Sequence, residues 1–211
     1  MGLHVLVLVG GSHHDSPAIR SSLADIFSDG GAHAVTQSED MAILRPEALE
    51  PFDVIVNATT DRRPKAAEHY ALLNAVAQGR GLVVVHGGLA SFWNSQAYFG
   101  MVGSKFAGKS LDDRGAGDFM VNLGPNRSTL GHPVTAGLAD YAVNDELFFL
   151  QGDQTQWKVL ARAQGHPIMY VKSFGLGRVF VCALGHDETR FNVPTTTEIL
   201  RRGARWTAKL L

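Results

Sequence analysis

Leu3-His4-Val5-Leu6-Val7-Leu8-Val9-Gly10-Gly11-Ser12 is the stretch that decides the fold. A nearly unbroken apolar run rich in β-branched residues, with His4 as its one polar member, passes straight into two glycines. This is how a buried parallel strand meets its first loop. Pro17 then suits a first helical turn, and Ile19, Leu23, Ile26 and Phe27 recur at helical spacing until Gly30 and Gly31 stop them. Strand, loop and helix form the first unit.

The unit repeats. Ala34 and Val35 predict a short strand and Phe52 to Val56 another, Ala66 to Ala77 a helix ending at Gly79, and Leu82 to Val85 a fourth strand. Such alternation gives a mainly parallel sheet with helices on both faces, whose ligands bind beyond the carboxyl ends of the strands. After about residue 110 the pattern changes. Phe119 to Leu123, Glu146 to Leu150, Trp157 to Ala161, Ile168 to Val171 and Arg178 to Leu184 read as strands too close together for intervening helices. They predict an antiparallel extension of the sheet, with Phe174 to Gly177 as a hairpin turn and Thr195 to Leu211 as a closing helix. No repeat, low-complexity tract or linker interrupts residues 1–211, which are therefore expected to form a single domain.

Composition narrows the function. The 211 residues carry 19 Lys and Arg against 20 Asp and Glu, for a net charge of −1, and contain no basic block. The expected partner is a small-molecule ligand, with no nucleic acid and no membrane, and self-association into a homo-oligomer is left open. No run approaches the roughly 18 to 20 apolar residues of a membrane span, and Met1 leads into a strand without a basic leader, which predicts a cytoplasmic protein. Cys182, the only cysteine, lies in an apolar run and reads as a core residue of a reducing compartment.

Four of the nine histidines fall at three strand ends: His13 and His14 after the first strand, His86 after the fourth, and His186 after the run Phe180 to Gly185. If those ends share one rim, the four can meet in one cleft. Gly81-Leu82-Val83-Val84-Val85-His86-Gly87-Gly88 resembles a nucleophile elbow, with histidine where a hydrolase has Ser or Cys. That makes an acyl-enzyme route through the elbow improbable. His186 precedes Asp187 and Glu188, and a carboxylate there can orient the ring. Gly10 to Ser16 is neither a P-loop nor a GxGxxG motif. Within it Gly11, His13 and His14 are candidate ligand-binding residues; one histidine is expected to reach the cleft while the other points outward.

Asn144-Asp145-Glu146 enters the apolar run Leu147 to Leu150. Alternation that sends Asp145 outward turns Glu146 inward, as a third candidate acid or base beside His86 and His186. Phe92, Trp93, Tyr98 and Phe99 follow the elbow and offer either a wall for a sugar ring or ordinary core packing. Gly87, Trp93 and His132, the last in Gly131-His132-Pro133-Val134-Thr135, complete the ligand-binding candidates. A divalent ion such as Zn on His14, His86 and His186 is the variant reading, although no HxH or HExxH spacing supports a firm metal site or any other cofactor.

Val7 to Asp15, Val85-His86-Gly87, Gly131 to Leu138, Asp145 with Glu146, and Gly175 to Asp187 together resemble the ThuA-like, or trehalose-utilisation, proteins. These belong to the class I glutamine-amidotransferase-like superfamily. The resemblance spans most of the chain and implies a flavodoxin-like three-layer α/β sandwich with a mainly parallel central sheet, an antiparallel strand extension, and a site at the elbow. Amidotransferase relatives carry cysteine at the position resembling His86 and the partner histidine at that of His186, so a functional glutamine amidotransferase is not expected. The implied function is in carbohydrate metabolism. It is either an enzyme, a hydrolase, lyase or isomerase processing a glycoside or keto-sugar by histidine acid/base chemistry, or a non-catalytic sugar-binding or interaction module. In the enzyme, His86 and His186 carry protons while Glu146 or Asp187 assists them.

Overall fold

Strand β1 (His4–Leu8) is buried from its second residue onward, and its Cα register with β2 (Ala34–Ser38) on one side and β3 (Val54–Asn57) on the other is parallel. The computed structural model describes residues 2–109, 116–125 and 129–211. Within them β4 (Gly81–Val85), β5 (Ser104–Lys109), β6 (Gly117–Leu123), β7 (Tyr141–Asp145), β8 (Phe148–Gly152), β9 (Lys158–Ala163), β10 (His166–Phe174) and β11 (Gly177–Cys182) complete the strands. The α-helices are α1 (Pro17–Ser28), α2 (Pro46–Leu49), α3 (Ala66–Ala77), α4 (Gln96–Val102), α5 (Glu188–Phe191) and α6 (Pro194–Thr207).

Nine strands form one sheet in the order β2-β1-β3-β4-β11-β10-β9-β6-β7. The first five run parallel, and β10, β9, β6 and β7 extend the sheet antiparallel. The parallel part has the 2-1-3-4-5 order of flavodoxin-like folds, in which loops at the carboxyl ends of the strands gather on one rim. Helices α1 and α6 pack together on one face, while α2, α3 and α4 cover the other, so β3 and β4 are buried at every position. Helix α1 starts where Ser16 accepts from Ile19 N at 3.1 Å and ends at Asp29 in the left-handed region, with Ile19, Leu23, Ile26 and Phe27 inward. Among the described residues no helix is long and apolar enough to cross a membrane.

The sequence reading needs correction around Glu146. The strand expected from Glu146 to Leu150 begins only at Phe148, and it pairs with β5 in a separate two-stranded sheet. Neither β5 nor β7 was anticipated. Asp145, expected to face outward, is as buried as Glu146, at 1% and 4% exposure, because its carboxylate accepts backbone amides at the end of β7.

Candidate active site

The rim of the sheet assembles from loops that would otherwise be unrelated. Immediately after β4, His86 adopts φ 35°, in the left-handed region that costs a residue bearing Cβ of order 1–3 kcal/mol unless its surroundings fix it. They do. A Cβ on Gly87 would lie 2.4 Å from Thr60 Oγ1, so the elbow can press against the loop after β3 only with glycine there. Gly11 plays the same part from the β1 side, where its backbone bridges to Thr60 and a Cβ would fall 1.9 Å from Thr60 O. Beneath the elbow, Asn57 Nδ2 donates to Tyr98 OH at 2.7 Å, which in turn donates to Gly88 O at 3.1 Å. The structure thus gives Gly11 and Gly87 a clear role in closing loops together.

Four side chains from four loops converge above this floor. His14, His86, Glu146 and His186 each offer a ligating atom, and all four atoms lie within 4.8 Å of one another. His86 Nδ1 donates to Ala183 O at 2.7 Å and His14 Nδ1 to His186 O at 2.9 Å. Because a carbonyl only accepts, each of these Nδ1 atoms carries the proton. In the neutral tautomers so fixed, Nε2 is a bare acceptor. His86 Nε2 is 3.5 Å, and His186 Nδ1 3.1 Å, from Glu146 Oε2, yet both nitrogens are buried without a hydrogen bond. The other carboxylate oxygen, Oε1, receives the Lys109 ammonium. The His86 ring is 1% exposed and stacks on Phe148, with centroids 3.9 Å apart.

The electrostatics follow from this crowding. Burial, then the neighbouring His86 ring, lowers His14 to about 4, so it is neutral at pH 7. Glu146 raises His186 above the usual imidazole value against the effect of burial. Burial pushes Glu146 upward, but His186, His86 and Lys109 together outweigh it and hold the carboxyl well below the ordinary range. Asp145, raised by burial, serves the backbone: its Oδ1 accepts from Glu146 N at 2.7 Å and His186 N at 3.2 Å, and its Oδ2 from Gly185 N at 2.9 Å.

Beside the cluster lies a crevice of about 320 Å³, whose lining includes His13, Asp61, Trp93, Phe106 and Lys109. Trp93 Nε1 donates to Asp61 Oδ1 at 3.3 Å, and Ser12 Oγ donates to Asp61 Oδ2. Of the residues picked out in the sequence, His14, His86, Glu146 and His186 meet, while His13 and Trp93 line the approach. Asp187 does not join them: its carboxylate accepts from Thr189 N at 2.9 Å as the N-cap of α5 and pairs with Arg190. His132 packs beside Trp206, with ring centroids 5.3 Å apart, and is absent from the crevice lining. Phe92 and Tyr98 are core residues, each 0% exposed. Sequence reasoning missed Lys109, Asp61, Phe106 and the packing role of Phe148. A lysine ending a short apolar stretch was the one signal available for Lys109. Cys182 is fully buried in β11, where burial pushes its thiol up to about 12, so it is no thiolate nucleophile.

The ThuA family model, described as trehalose utilisation, matches residues 4–207. No curated protein matches the chain. Among solved structures, a ThuA-like protein of Parabacteroides merdae ATCC 43184 is similar with a TM-score of 0.83 at 18% identity, over 99% of this chain and 90% of that one. A protein of Salmonella typhimurium LT2 described as cytoplasmic is similar at a TM-score of 0.72 and 13% identity, over 97% and 99%. A β-galactosidase from Bacillus circulans sp. alkalophilus shares the fold at a TM-score of 0.61 and 12% identity; 98% of this chain covers 30% of that one. At such identities the likeness to these structures is one of fold.

Proposed function

Because the chain belongs to the ThuA family of trehalose utilisation, we propose that it is an enzyme acting on a glycoside or keto-sugar, with the His14–His86–Glu146–His186 cluster and the crevice beside it as its reaction centre. The observation that carries this reading is the convergence of four side chains within 4.8 Å at the strand rim, three imidazoles gathered around one buried carboxylate.

The surroundings fit a sugar. Trp93 and Phe106 offer flat apolar faces, and His13, Asp61 and Lys109 supply polar groups at the same opening. A two-carboxylate glycosidase mechanism fits poorly, since Asp145 is taken up by three backbone amides and Asp61 by Ser12 and Trp93. Proton abstraction beside the carbonyl of a keto-sugar fits better, because it needs a basic lone pair and a group to hold the developing oxyanion. Thiolate amidotransferase chemistry is outside this reading, given the buried Cys182. The cytoplasm is the compartment it assigns, in keeping with the unpaired thiol and with the cytoplasmic description of the Salmonella protein.

The test is turnover of a panel of glycosides and keto-glycosides by the parent protein and by His86→Ala and Glu146→Gln. Turnover should fall by about 10²–10⁴ in each variant while calorimetric binding of the same sugars stays within about tenfold. Sugar binding without turnover in the parent would replace the enzyme with a non-catalytic sugar-binding module.

A further inference from the structure

We propose that His14, His86, His186 and Glu146 form a binding site for one divalent transition-metal ion, with zinc as the reference occupant. The inference deepens the preceding reading and rests on it for what the ion would do, since it places the ion in the same crevice.

Geometry is the first argument. Four donors at ~2.0–2.1 Å from a tetrahedral zinc ion lie about 3.3–3.4 Å from one another. The two separations involving Glu146 Oε2, 3.1 Å to His186 Nδ1 and 3.5 Å to His86 Nε2, bracket that edge. Neither nitrogen makes a hydrogen bond to the carboxylate despite its closeness, and all four donors lie within 4.8 Å of one another, so one ion engages them all once the widest separations contract toward that edge.

Chemistry is the second. His86 Nε2, an acceptor once Nδ1 has donated to Ala183 O, faces a carboxylate oxygen, which is also an acceptor. Two lone pairs buried at 3.5 Å need a positive charge between them, either a second proton on the ring or a metal ion, and the ion also engages His14 and His186. A backbone carbonyl that fixes the tautomer of a ligating imidazole is the usual outer partner in metal sites, and here His14 and His86 both have one. Lys109 on Oε1 and Asp145 beneath the Gly185–His186 backbone hold the remaining parts in place. Three imidazoles and one carboxylate suit zinc, cobalt or iron better than magnesium. Because each ligand comes from a different loop, no metal-binding spacing is visible along the chain. The side chain of His186 is 31% exposed, so the cluster opens to the crevice on that side, where a carbonyl or hydroxyl oxygen of the sugar would meet the ion. There the ion would polarise the carbonyl and stabilise the oxyanion that develops on proton abstraction.

The test uses tag-free protein, stripped with a chelator, dialysed and titrated with zinc sulfate, with binding followed by calorimetry, elemental analysis and thermal unfolding. The expected result is about one zinc ion per chain and a raised Tm. His86→Ala and Glu146→Gln should each weaken affinity by at least about tenfold, and His132→Ala, away from the crevice, should not. His14→Gln, outside the elbow, provides a ligand deletion that leaves the buried elbow intact and should also weaken binding at least about tenfold. Retention of less than about a tenth of an equivalent, with no rise in Tm on adding zinc, cobalt or manganese, overturns the proposal. So does uptake that is unchanged in both His14→Gln and Glu146→Gln. Sugar turnover that survives complete chelation sinks the ion but leaves the reaction centre, whereas zinc uptake without turnover on either substrate class sinks the reaction centre but leaves the ion.

Discussion

Replacing Asp145 should separate the scaffold of the site from its chemistry. The carboxylate is 1% exposed and accepts three backbone N–H groups, two on Oδ1 and one on Oδ2. Asp145→Ala orphans all three. Each buried amide left without a partner costs about 1–3 kcal/mol, and water entering the half-buried end near His186 recovers part of that, so a loss of about 3–5 kcal/mol is expected. Asp145→Asn can keep its oxygen at the Oδ1 position and so orphans only the Gly185 amide, for about 1–3 kcal/mol. In a chain of this length those losses correspond to falls in Tm of roughly 6–20 °C and 2–12 °C. Urea unfolding of the two variants reads the difference directly, because the midpoint should move while the slope does not. Turnover should fall with stability, since His186 and Glu146 follow the same backbone. An alanine variant within about 1 kcal/mol of the parent, or one indistinguishable from the asparagine variant, would refute the claim that this carboxylate pins the rim.

Three further outcomes follow from particular residues. Burial, with Lys158 and Arg178 adding to it, lowers His132 to about 4 from 6.5. The unfolded chain therefore takes up that proton first, so this group's stability is whole above about pH 6.5 and is lost as pH falls toward 4, by about 2–3 kcal/mol; His132→Asn should flatten that part of a pH series of urea midpoints. Trp93→Ala should weaken sugar binding about tenfold in calorimetry and shift stability by less than about 0.5 kcal/mol, because the indole is partly exposed at the crevice. Native protein should resist thiol alkylation, since Cys182 is fully buried, and become reactive only in denaturant; rapid labelling of the folded chain would contradict the β11 register.

Much of the architecture was legible because its signals are local. The repeat from Ile19 to Phe27 and the run from Ala66 to Ala77 each carry the helical period, and Leu3 to Val9 carries the buried-strand pattern, so these elements lie close to where the sequence puts them. β5 was missed because Ser104–Lys109 carries two lysines and a glycine and finds its partner only in β8, far along the chain. The turn at Asp145 to Leu147 was hidden by the apolar residues on either side, which read as one strand until the backbone amides claim the Asp145 carboxylate. At the site, His14, His86 and His186 stood out because each follows a strand. Lys109 and Phe148 did not, because what makes them matter is a contact made across the fold. Asp187, singled out for its nearness to His186 in sequence, caps α5 with its carboxylate and reaches the ring only through its charge, which helps raise His186.

Anomalous diffraction at the zinc edge, from crystals grown with one equivalent of zinc, tests most directly the claim that four distant side chains address one point. The account predicts a single strong peak about 2.0–2.2 Å from His14 Nε2, His86 Nε2, His186 Nδ1 and Glu146 Oε2. An empty cluster in density that shows its rings turned apart, or a peak held by other residues, would contradict it.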